Sequence, residues 1–185
     1  GLRKVPDNIP NTKVLEDNLN KPLTSIPDPF GKYSSFGEHN NEMLKNFLNK
    51  FNFKYNFKSS TQLYKSGKFN DVLMLILSRY EEIMNIVIPT LGKERQKTYS
   101  PFLPICTDTG RVLQAPITRT DPTRGTITYR DQGSNEVEVL VTGGTCKLQW
   151  KADWAMRWKT FAVDYEMSGK DLIPSLQLSS QICTL

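Results

Sequence analysis

Trp150, Trp154 and Trp158 are spaced four apart, and a Ser168-Gly169-Lys170-Asp171 run follows ten residues after the last of them. These are the side chains of the sequence best placed to do chemistry. Positions i, i+4 and i+8 share one face of a helix, so the three indoles can form a single apolar stripe. The run also reads as a strand end at Lys147–Trp150, followed by a helix that starts at Trp154 and is capped by Asp153. Tryptophans at helical spacing are most often core. Ala162–Val163 and Tyr165–Met167 read as a strand leading into the Gly-Lys-Asp turn, where a backbone that needs glycine meets a cation and a carboxylate. A strand that ends this way before another helix is where open α/β sheets gather ligand-binding groups.

Other chemistries find no support. There is no Gly-rich phosphate loop and no Ser–His pairing, and the single histidine, His39, has no second ligand or base beside it in sequence. Cys106, Cys146 and Cys183 are far apart and odd in number, which argues against a disulfide framework and predicts free thiols in a reducing cytoplasm. Cys106-Thr107-Asp108-Thr109 offers one thiol where a zinc site needs four ligands, so no zinc and no metal site is expected. The charge of +5 points weakly to an anionic partner, because the 24 Lys and Arg are scattered among 19 Asp and Glu. The most apolar run, Val72–Leu77, is too short to cross a bilayer, so no membrane partner is expected.

The elements that position these residues follow from pattern and punctuation. Residues 1–37 carry Pro6, Pro10, Pro22, Pro27 and Pro29 and read as an irregular arm with one short helix at Thr12–Leu19. Met43, Leu44, Phe47, Leu48 and Phe51 then recur at helical spacing. At Phe51, Phe53, Tyr55 and Phe57 the period drops to two, with Asn52, Lys54, Asn56 and Lys58 between, which predicts a half-buried strand. Aromatics alternating with lysines also suit a stacking platform for single-stranded nucleic acid. The two readings differ in whether the rings are buried or exposed.

Ser59-Ser60-Thr61 caps a short helix that ends near Gly67. A longer helix from Asn70 or Asp71 carries the stripe Val72, Leu75, Ile76, Tyr80, Ile83, Met84 and Val87, and ends at Pro89. After Pro101 and Pro104 the text turns to short β segments and turns, with Thr126–Arg130 and Glu136–Val141 as paired strands of a hairpin. The fold class expected is α/β. Residues 1–104 form an α/β part, 105–141 a small antiparallel β insertion, and 142–185 a return to α/β that ends in a helix at Leu176–Leu185.

TGG-x-x-KLQWKADWAMRW, VDYEMSGKDL and LSSQIC, together with GLRKVPDNIPN, FGEHNNEMLKNFLNKFNFKY, SSTQLYKSGKFN, MNIVIPTLGKERQKTYSPFLPI and TGRVLQAPI, resemble the class I lysyl-tRNA synthetases of the alphaproteobacterial kind, in the same order over the whole chain. The resemblance implies part of a Rossmann-like catalytic domain of a cytoplasmic enzyme. Its substrates would be lysine, ATP with Mg2+, and tRNA(Lys). It implies that Trp150 either stacks on a ligand or belongs to the core. It further implies that Gly169 lets a backbone approach the nucleotide, with Lys170 and Asp171 at the rim.

Two departures qualify the resemblance. Both ATP signatures of class I synthetases, the His-Ile-Gly-His-like and Lys-Met-Ser-Lys-Ser-like motifs, are absent, so the resemblance assigns no catalytic residue within this sequence. Leu172 stands where many members have His after Gly-Lys-Asp. With Gly1 in place of an initiator Met and Leu185 inside a helix, the sequence reads as an internal piece. A nucleic-acid-binding module or a structural interaction module are the alternatives.

Overall fold

Early prolines and asparagines keep the start of the chain in turns. Asn8, Asn11 and Asn20 all take positive φ, a region that asparagine enters more readily than most residues. In a computed structural model that describes residues 1–185, this segment belongs to the first of two units, residues 1–61 with 105–113; the second is 62–104 with 114–185.

In the first unit, helix α1 (Thr12–Asp17) is shorter than the predicted Thr12–Leu19. Its Leu15 packs with Leu2, Ile26 and Phe36 in a small core. Leu2 and Asn20 tie the arm together through the backbone, Leu2 N–H donating to Lys21 C=O at 2.9 Å and Asn20 N–H to Leu2 C=O at 2.7 Å. Residues 105–113 join through Val112 N–H, which donates to Asn20 C=O at 2.8 Å. Helix α2 (Phe36–Lys50) starts well before the apolar pattern does, because Ser35 caps it and accepts from Glu38 N–H at 3.1 Å.

The half-buried strand predicted at Phe51–Phe57 is absent. A strand buries one face only when a neighbour supplies the ladder, and no strand of either sheet pairs here. Asn52 turns the chain at positive φ, and the segment folds back on α2. Tyr55 Oη donates to Asn49 at 3.1 Å, and the Lys45 ammonium sits 5.2 Å from the Phe57 ring centroid. Phe51 and Phe53 remain 58% and 59% exposed, as do Met43, Leu44 and Phe47 of α2 to a similar degree.

The one histidine of the chain is also structural in this unit. The Asp28 carboxylate accepts from the amides of Phe30, Lys32 and Tyr33 at 2.8–3.1 Å and pairs with His39 Nδ1 at 3.1 Å. The His39 ring stacks on Phe30 at 4.3 Å. Burial pushes the Asp28 carboxyl up, but the bonds from His39 and the three amides outweigh it and hold the group at about 2. A carboxyl depressed in the folded state stabilises above its ordinary range and loses that contribution as pH falls through the folded value. Between pH 4 and pH 2, acid unfolding of Asp28→Asn should therefore be less steep than that of the parent, as read by circular dichroism.

The second unit starts at residue 62, within α3 (Ser60–Lys65), the short helix expected before Gly67. The long helix expected next is two: α4 (Asn70–Ser78) and α5 (Tyr80–Val87), broken at Arg79. Their buried face is Leu73, Ile76, Leu77, Tyr80, Ile83 and Val87, so the predicted stripe is one residue off in α4, and Leu75 is exposed. A short α6 (Lys93–Gln96) follows.

Both sheets are antiparallel. β1 (Phe102–Pro104) pairs with β5 (Cys146–Leu148), Leu103 opposite Lys147, and β2 (Ile117–Asp121), β3 (Thr126–Arg130) and β4 (Glu136–Leu140) form a meander. The predicted β3–β4 hairpin is present. It is not a body of its own, because Ile127 lies fully buried in the same core as Phe69, Leu73, Phe102 and Met156. Mixed helix and small antiparallel sheet is the observed class. No parallel strand pair occurs in the chain. Two helices close the unit, α7 (Trp150–Phe161) and α8 (Ile173–Cys183), packed against each other.

Candidate functional site

α7 begins where β5 ends. Gln149 N–H donates to Pro101 C=O at 2.8 Å as the last rung beside β1, and its extended backbone (φ −63°, ψ 149°) turns into helix at Trp150. All three tryptophans therefore lie on one helix. This corrects the reading in which Asp153 caps a helix starting at Trp154. Asp153 sits in the first turn instead, and its carboxylate accepts from Tyr64 Oη and Arg157 Nε, both at 2.6 Å. Tyr64 Oη in turn accepts from Leu148 N–H at 3.1 Å. Burial, then the Asp153 charge, push the Tyr64 phenol well above its ordinary value, so it remains the donor at all physiological pH. This network ties α3 to β5 and the start of α7. Its partners are 84 and 89 residues apart in sequence.

The indoles form a ladder. Trp150 stacks on Trp154 with centroids 4.6 Å apart and planes at 25°, and Trp154 meets Trp158 at 5.1 Å. Trp154 is 4% exposed, whereas Trp150 is 51% exposed, so one face of Trp150 rests on its neighbour and the other is open. The stripe therefore ends in solvent at Trp150.

The Trp154 indole N–H donates to both Glu166 oxygens at 2.9 Å, and the Trp158 N–H donates to Glu166 Oε2. A carboxylate is the acceptor that two indole donors need.

No strand precedes Gly169. After α7 ends in Ala162 (φ 47°), residues 163–169 run without regular structure, and Tyr165 and Met167 are 80% and 81% exposed. The predicted strand at Tyr165–Met167 fails for the same reason as that at Phe51–Phe57: no partner edge lies beside it. Gly169 has an extended backbone (φ −65°, ψ 152°) that any residue adopts, and nothing in the chain lies within 4 Å of where a Cβ would be. Its glycine character is required neither by conformation nor by internal packing. Lys170 and Asp171 stand exposed in a 3-10 turn, Lys170–Leu172, and neither side chain holds a hydrogen bond or ion pair. No direct bond joins Trp150 to residues 169–171; Glu166 is the side chain that links their segment to α7. An open groove of about 630 Å3 adjoins this segment, lined by Trp158, Asp164, Tyr165, Glu166 and Ser180 among others.

Glu166 and the Tyr64–Asp153 pair are the residues that sequence reasoning missed. Glu166 lies within the EMSGKD run, but a bond made from an irregular segment back to a helix has no periodicity to betray it.

All three cysteines are free, and no three His, Cys, Asp or Glu side chains gather where they could hold a metal ion. Burial pushes the Cys146 thiol up to about 12, while hydrogen bonds from Thr109 lower the partly exposed Cys106. Since the thiolate is the nucleophile, a maleimide at pH 7–8 should label Cys106 ahead of Cys146, and Cys146 only after unfolding, as peptide mapping would show. No helix is long and apolar enough to cross a membrane.

Comparison with known proteins gives this geometry a family. The lysine–tRNA ligase of Rickettsia rickettsii (strain Sheila Smith) is 52% identical over 185 residues, and those of Rickettsia felis and Rickettsia typhi are 53% identical over the same length. In each case the whole of this chain matches, and it spans 35% of the relative, about a third of its length. A family model described as "tRNA synthetases class I (K)" matches residues 1–185, and the chain belongs to that family.

Proposed function

We propose that these 185 residues serve in a class I lysine–tRNA ligase as part of its catalytic domain. Such an enzyme joins the lysine carboxylate to the α-phosphate of ATP with release of pyrophosphate, then passes the lysyl group to the 3′-terminal adenosine of tRNA(Lys). Its partners would be lysine, ATP with Mg2+, and tRNA(Lys), and its compartment the cytoplasm. The observation that carries this reading is the family match over residues 1–185, joined to relatives that are named lysine–tRNA ligases.

Within that reading, the open face of Trp150 is the surface on which a substrate group stacks; an ammonium or an adenine suits an indole face. Gly169 leaves room for a ligand to approach the backbone, since nothing in the chain occupies the space a side chain would take. Lys170 and Asp171, charged, exposed and unpaired, stand ready as rim groups. Leu172 replaces the histidine common after Gly-Lys-Asp, so no ring interaction is assigned there.

The 185-residue chain by itself should not activate lysine. It holds neither ATP signature, and loss of one preorganised donor at a developing charge already costs about 2.7–4 kcal/mol. Lysine-dependent pyrophosphate–ATP exchange is the assay. A complete ligase containing this sequence should exchange and the chain alone should stay at background; exchange by the chain alone would overturn the assignment of the phosphate donors to residues outside it.

The exposed rings of Phe51, Phe53, Tyr55 and Phe57, interleaved with Lys54 and Lys58, favour a second reading, a platform for single-stranded nucleic acid. A salt-dependent gel shift of a single-stranded RNA by this chain would support it, and no shift at low salt would dismiss it.

A further inference from the structure

We infer that Glu166 is a positioning residue that sets the candidate site, an inference resting on the ligand-facing reading of Trp150. Residues 162–169 carry no helix and no strand, and all of them are exposed, yet they connect α7 to the Gly169–Asp171 turn. Beyond the helix cap, where Val163 N–H donates to Trp158 C=O at 3.1 Å, the tether of this segment is the Glu166 carboxylate. That one group accepts from two of the three stacked indoles. It fixes the orientation of the Trp154 ring and holds Trp158 beside it.

The Trp150 indole has no hydrogen bond of its own; its orientation is inherited from Trp154, on which it stacks at 4.6 Å. Glu166 also lies three residues before Gly169. One side chain therefore fixes both the open face of Trp150 and the approach of the segment that carries Lys170 and Asp171. A carboxylate suits this task because both of its oxygens accept. Glutamine keeps one accepting oxygen, enough for the Oε2 position that serves both indoles, and turns its other end into a donor facing the Trp154 N–H.

The test uses Glu166→Gln, Glu166→Ala and Trp150→Ala. Stacked indoles give coupled bands in the aromatic circular dichroism spectrum, read on the 185-residue chain with the far-ultraviolet spectrum as a check on folding. The inference expects Glu166→Ala to lose most of the coupled signal with helix content unchanged, and Glu166→Gln to retain an intermediate fraction. In a complete ligase the same order should appear in kcat/KM for lysine, with roughly a tenfold fall or more for Glu166→Ala and partial rescue by glutamine.

An unaltered coupled signal in Glu166→Ala overturns the inference. So does a Glu166→Gln variant as impaired as Glu166→Ala, which would place the effect in charge rather than in bond geometry. Trp150→Ala separates the two claims. If it leaves lysine kinetics unchanged, the ligand-facing reading of Trp150 fails, while the spectra still decide whether Glu166 orders the stack.

Discussion

Trp154→Ala should destabilise the second unit by about 3–5 kcal/mol, the range for truncating a large buried aromatic, while Trp150→Ala costs only the stacking interaction, about 0.5–1.5 kcal/mol. The two residues share a helix, a face and a chemistry, so propensity and hydrophobicity cannot separate them. Their burial does, at 4% against 51% exposed. Trp154 meets Trp150 on one side and Trp158 on the other and donates to Glu166. Its removal leaves a cavity in a helix whose neighbouring Ala155 and Met156 are also buried, and it frees a carboxylate from one of its two indole partners. Removal of Trp150 opens no cavity, because water already reaches its outer face. Urea unfolding of both variants, followed by circular dichroism, should give midpoints clearly below the parent for Trp154→Ala and near the parent for Trp150→Ala. Equal losses would mean that Trp150 is core.

Part of this was legible in the residues alone. A stripe at i, i+4, i+8 announced the tryptophan helix, and the turn-punctuated text after Pro104 announced the β3–β4 hairpin. Both signals are local: each element's pattern and its flanking turn residues suffice to specify it. The strand misreadings concern what lies opposite an element. Phe51–Phe57 and Tyr165–Met167 alternate as strands do, but alternation describes only one side of a pair, and neither segment has a partner edge in the chain. β1 went unseen because three residues ending in proline give no period, and its existence depends on β5, far along the chain. The break between α4 and α5 at Arg79 has no proline or glycine to mark it.

The site divides the same way. Trp150, Gly169, Lys170 and Asp171 stood out by residue type. Glu166 and the Tyr64–Asp153 hydrogen bond became visible only when the fold brought distant segments together. Gly169 is the instructive case: its residue type suggested a backbone that needs glycine, and the backbone turns out to need none. If glycine has a purpose there, it is the open space beside it.

The most direct test of the account is lysine kcat/KM in pyrophosphate–ATP exchange by a complete ligase containing this sequence, with and without Trp150→Ala, and with thermal unfolding recorded alongside. Removing a stacking interaction that the substrate makes in the transition state lowers kcat/KM tenfold for each ~1.4 kcal/mol. The proposed ligand-facing role of Trp150 predicts roughly a tenfold fall or more with a melting temperature close to the parent's. Parental kcat/KM in the Trp150→Ala enzyme, or a large loss of stability with normal kinetics in the folded fraction, would contradict the assignment.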